Sequence, residues 1–172
     1  MKTSKRLFAV LLALCLFLSL SVPAFAVSAE YSTTKAFLKV MDREKNKYTV
    51  EGVDEDGDEK VSVSVKGDNK KTIEVRIFFN EDLDVVSMRC WYVISFDKAD
   101  LDRVLTAVNQ INNDYRFVKF VVDESDYSVD AKIDCPLRDD DIAGEIAYDA
   151  LFYIENIVDE AYLELKEFDI SK

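Results

Sequence analysis

The sequence predicts an α+β fold built on one antiparallel sheet, and three observations carry that prediction. Clean alternation in Val61-Ser62-Val63-Ser64-Val65 and in Ile73-Glu74-Val75-Arg76-Ile77 asks for strands with one buried and one wet face. Leu101, Val104, Leu105, Val108 and Ile111 recur at helical spacing. Short turns rich in Asp, Gly and Asn join consecutive strands, and sequential hairpins cannot make a parallel sheet. The expected architecture is a single sheet of about six strands with three helices, in the order α-β-β-β-β-α-β-β-α.

Residues 1–26 precede this fold as a targeting segment. Lys2, Lys5 and Arg6 form a positive start, 7–22 is an uncharged and mostly apolar run, and Ala24-Phe25-Ala26 supplies a small-residue cleavage site. The run falls short of the ~20 residues that span a bilayer, so a Sec signal peptide cleaved after Ala26 is expected rather than a membrane anchor. Cys15 follows Leu14 inside the apolar run, which does not fit a lipidation site. Residues 27–172 then form one domain, exported or secreted.

The first helix is expected over 32–45, with Phe37, Leu38 and Met41 on one face and Ser/Thr residues available to cap its start. Strands follow at 48–53, 61–66, 72–79 and 83–96, separated by turns at 54–58, 67–69 and 80–82. Asp97 caps the second helix. A hairpin of strands 117–123 and 127–134 comes next, and Pro136 breaks the chain. The last helix runs from about 140 to 166, its stripe being Ala143, Ala147, Ala150, Leu151, Ile154, Val158, Ala161 and Leu165. Asp139, Asp140 and Asp141 stand at its start, where the helix dipole favours carboxylates.

Composition removes several function classes. The chain has no histidine, which excludes Ser-His-Asp and Cys-His dyads, an HExxH zinc helix and imidazole base catalysis. Its formal charge of −12 repels phosphate backbones, so a nucleic-acid partner is not expected. Removal of residues 1–26 takes away Lys2, Lys5 and Arg6 and no acid, which moves the charge to −15. No cofactor is implied. Asp54-Glu55-Asp56-Gly57-Asp58 resembles the opening of an EF-hand, but its glycine comes fourth and Val65 stands where the twelfth-position Glu belongs. A hairpin turn explains it better. Asp123-Glu124-Ser125-Asp126 reads likewise as a solvated hairpin tip. No metal site is expected.

Val108-Asn109-Gln110-Ile111-Asn112-Asn113, closing the second helix, runs into Arg116-Phe117-Val118-Lys119-Phe120-Val121-Val122-Asp123 and then Ser128-Val129-Asp130-Ala131-Lys132-Ile133. This passage resembles the YbjN family of bacterial domains, described as sensory-transduction regulators and similar in fold to type III secretion chaperones. The likeness extends over about 34–165. It implies a small, non-enzymatic protein-binding module that pairs with a protein partner or forms a homodimer. Asn109 and Asn112 are expected to satisfy backbone groups at the helix end and the following turn.

Two cysteines remain after signal cleavage, Cys90 and Cys135. In an oxidising compartment an even pair suggests a disulfide, and two buried thiols acting as small hydrophobes are the alternative. Parity puts both on the helix-covered side of the sheet, Cys90 together with Met88 and Tyr92. The opposite parity collects Arg76, Phe78, Arg89, Trp91, Val93, Phe117, Lys119 and Val121 among serines and charges. Aromatics interleaved with Arg and Lys make interface hot spots. The candidate partner-binding face is therefore Arg76, Phe78, Arg89, Trp91, Phe117 and Lys119. Two other function classes stay open at this level, an extracytoplasmic small-ligand or Ca²⁺-binding protein and a carboxylate-based hydrolase.

Overall fold

The computed structural model describes residues 27–138 and 142–171. The targeting segment and the Asp139-Asp140-Asp141 run lie outside the described residues. Helix α1 (Ser32–Arg43) is followed by strands β1 (Thr49–Val53), β2 (Glu59–Val65), β3 (Ile73–Phe79) and β4 (Val85–Ser95). Helix α2 (Leu101–Asp114), strands β5 (Lys119–Asp123) and β6 (Ser128–Pro136), and helix α3 (Ala143–Leu165) complete the chain. This is the expected order, and the six strands make one sheet ordered β1-β2-β3-β4-β6-β5, antiparallel throughout.

All three helices lie on one face of the sheet. Helix α3 crosses β3, β4 and β6 and buries the whole predicted stripe from Ala143 to Leu165. Its small residues let α1 come close: a side chain at Gly144 would run into the backbone of Ala36 and Phe37. Phe37 of α1 meets Phe79 of β3 with ring centroids 5.5 Å apart, both rings fully buried. Helix α2 packs mainly against β5, with a smaller contact on α3. Its buried stripe is correspondingly narrow, Val104, Val108 and Ile111, and Leu105, expected inside, is exposed.

Polar side chains fix the connections. Asp54 Oδ1 accepts the N–H groups of Asp56 and Asp58 at 2.9 and 3.0 Å, its other oxygen holds Lys60 at 2.9 Å, and Gly57 takes φ +86°. The segment 54–58 is thus a hairpin turn, as its sequence suggests. Asp159 of α3 accepts the N–H groups of Asp68, Asn69 and Lys70 and so fastens the β2–β3 turn to the helix layer. Gly67 stands so close to this carboxylate that a side chain there would overlap it. Asn112 holds both backbone groups of Phe120, accepting its N–H at 2.8 Å and donating to its carbonyl at 2.9 Å. That ties the end of α2 to β5: Asn112 satisfies backbone groups as expected, but those of a strand residue and not of the helix end or the turn.

Candidate functional site

Among the described residues no element covers the face of the sheet opposite the helices, and strand register decides what it displays. Arg76 of β3 pairs with Arg89 of β4, Arg89 with Lys132 of β6, and Lys132 with Lys119 of β5. These four cations form one row across four neighbouring strands. A second row runs Lys60, Phe78, Ser87 and Asp134.

Aromatic contacts bind the two rows together. Trp91 and Phe78 meet edge to face, with centroids 6.0 Å apart and planes at 84°. The Arg76 guanidinium lies 5.5 Å from the Trp91 ring centroid, and Lys60 Nζ lies 5.8 Å from that of Phe78. Arg89 bonds to Asp134 at 2.8 Å and donates to the carbonyls of Met88 and Ile133. Ser87 Oγ also donates to Asp134. Burial pushes the Asp134 carboxyl up, but the Ser87 and Arg89 donors outweigh it and hold the group below its ordinary value. Two shallow clefts of about 380 and 390 Å³ meet at Glu74 and Arg76 beside Trp91.

The structure brings together five of the six candidate residues and separates the sixth. Phe117 precedes β5 and stacks on Tyr153 of α3, centroids 5.1 Å apart, away from the open face. The parity of β4 also breaks. Between Cys90 and Ile94 the strand carries a bulge opposite β6, and Tyr92 there adopts φ +54°. Tyr92, expected in the core, is consequently 58% exposed, its N–H bonded to Asp130, while Val93, expected outside, is fully buried.

Of the two readings open for Cys90 and Cys135, the structure has the unbonded pair. Cys90 faces Ala131 and Cys135 faces Val86, so they stand four positions apart along adjacent strands. That is roughly 13 Å at ~3.3 Å per residue, well past the ~7 Å that a disulfide bridges. Both thiols are free. Cys90 is buried, and burial raises its thiol to about 12, whereas Cys135 is half-buried at the core's edge.

Three residues of the face escaped the sequence reading, namely Lys60, Lys132 and Asp134. Alternation in Ser128-Val129-Asp130-Ala131-Lys132-Ile133-Asp134 does place the polar residues opposite the core, but only the β4-β6 pairing puts Lys132 beside Arg89. Among the described residues, no three acidic or cysteine side chains are grouped to hold a metal ion. Nor is any described helix long and apolar enough to cross a membrane.

Comparison with curated proteins finds no match. Among solved structures the fold is similar to that of YbjN, described as "a putative transcription regulator from E. coli". The likeness has a TM-score of 0.52 at 10% identity and covers 77% of this chain and 93% of that one. Residues 39–165 match the family model of YbjN, described as "Putative bacterial sensory transduction regulator". With most of its length matched by that model, the chain belongs to the YbjN family.

Proposed function

We propose that this chain is an exported, non-enzymatic regulatory module that acts by binding a protein through the open face of its sheet. The observation that carries this reading is Trp91, which stays 42% exposed at the centre of the uncovered face while Arg76 and Phe78 hold it in place. A large aromatic ordered by its neighbours yet open to water loses little side-chain freedom on binding and gains much burial. Membership of a family described as regulators supports a binding role. Export rests on the short apolar run 7–22 and on Ala24-Phe25-Ala26.

The experiment is affinity capture from the native host's culture supernatant and cell envelope. Wild type is compared with the double variant Trp91→Ala, Arg89→Glu, whose fold is checked by circular dichroism. The reading expects a partner, or a second copy of this chain, with wild type and its loss with the variant. Equal recovery with both proteins would remove this face from consideration. N-terminal sequencing of the exported protein should return Val27, and Met1 would contradict cleavage.

A further inference from the structure

Arg76, Arg89, Lys132 and Lys119 stand directly opposite one another across β3, β4, β6 and β5. Like charges so placed oppose sheet formation. Among the described residues, only Arg89 of the four has an ion-pair partner, Asp134. The protein around them has a net charge of −12. With strands ~4.8 Å apart, the row is about 14 Å long and one side chain wide. Carboxylates border it on both sides, Asp134 along one edge and Glu74 and Asp130 along the other, with Val121 next to Lys119 on β5.

We infer that this row is a docking track for an acidic segment of a partner protein. The inference rests on the proposed use of the open face and names what that face takes. The match is geometric as well as electrostatic. An extended peptide repeats its side chains on one face every ~6.8 Å, so carboxylates at alternate positions cover the ~14 Å row with three groups. Trp91, next to the Arg76 end, is open to an apolar residue of the same segment. A nucleic acid fits badly, because its phosphates flank a wide duplex or coil and would meet the bordering carboxylates.

The probe is a fluorescent ten-residue peptide of alternating Glu and Thr with a terminal Leu, titrated by anisotropy at 50 mM NaCl. Its Gln/Thr counterpart and a ten-nucleotide oligothymidylate serve as comparisons. Wild type should bind the Glu peptide at least tenfold more tightly than either, and 300 mM NaCl should weaken binding at least fivefold. Lys132→Glu should weaken it at least tenfold, whereas Lys39→Glu, on the exposed side of α1, should leave it unchanged. In Lys132→Glu the new carboxylate attracts Arg89 and Lys119 but repels Asp130 and Asp134 on its own strand. Its fold is therefore checked by circular dichroism, and Lys132→Gln, which should weaken binding in the same direction, is titrated beside it. Binding that is absent, indifferent to Lys132→Glu, or matched by oligothymidylate overturns the inference. If the Glu peptide fails while Trp91→Ala, Arg89→Glu still abolishes partner capture, the face is a binding site and only its acidic occupant is wrong.

Discussion

Glu59 presents the sharpest test of how this fold is held together. It begins β2 on the core side of the sheet and is completely buried. Its carboxylate accepts the N–H of Glu30 at 2.6 Å and that of Tyr31 at 2.9 Å, at the entry to α1. The N-cap residue Tyr31 makes no side-chain capping bond, and a strand residue anchors its backbone instead, with the negative charge on the favourable pole of the helix. Glu59→Ala removes two charge-assisted bonds, worth roughly 1.5–3 kcal/mol each, and leaves two N–H groups for water to satisfy as best it can. Because those groups are only partly buried, the expected loss is about 3 kcal/mol, or a fall of about 6–12 °C in melting temperature for a domain of this size. Glu59→Gln keeps one good acceptor but turns an amide donor toward a donor, so its loss should fall about midway. Thermal and urea denaturation measure both, and hydrogen exchange should show α1 amides opening first. A loss below about 0.5 kcal/mol for Glu59→Ala would refute the reasoning.

Other consequences follow from the same structure. Glu155 has a buried Oε1 without a hydrogen-bond partner among the described residues, and burial raises its carboxyl to about 7. A carboxyl raised in this way imposes no penalty below about pH 4.5 and its full penalty above 7, so Glu155→Gln should stabilise the protein by about 1–2 kcal/mol at pH 8 and by nothing at pH 4. Thiol titration should count Cys90 and Cys135 as free after denaturation, with native Cys90 labelling far more slowly than Cys135; a non-reducing digest that recovers them bonded would contradict the register. Asp159→Ala should cost about 1–2 kcal/mol and speed exchange of the Asp68, Asn69 and Lys70 amides, whose shared acceptor it removes. Unchanged exchange there would show that the turn holds itself.

Most of the element order could be read from the chain because single-strand and single-helix patterns are local. Val61-Ser62-Val63 announces its two faces without reference to any neighbour, and the α3 stripe does so through its 3.6-residue period. The errors share a cause, which is that they depend on what lies across the sheet. Tyr92 and Val93 exchange faces because of a bulge defined only against β6. Leu105 stays wet because α2 has little beyond β5 to cover. Cys90 and Cys135 have matching parity, yet their distance along the strands is a matter of register. Lys132 joins the candidate face only once β6 lies between β4 and β5, an order that no periodicity records. Glu59, which falls between the expected turn at 54–58 and the expected strand from 61, is drawn into the core by backbone donors far away in sequence.

The face itself can be watched directly, because Trp91 is the chain's single tryptophan. Its emission reports the centre of the candidate site with no label added. A partner captured by the wild-type protein should shift Trp91 emission to the blue and reduce its quenching by acrylamide at least twofold as the 42%-exposed ring is covered. A complex demonstrated by ultracentrifugation in which Trp91 emission and quenching match those of the free protein would contradict the account, since the partner would then sit elsewhere.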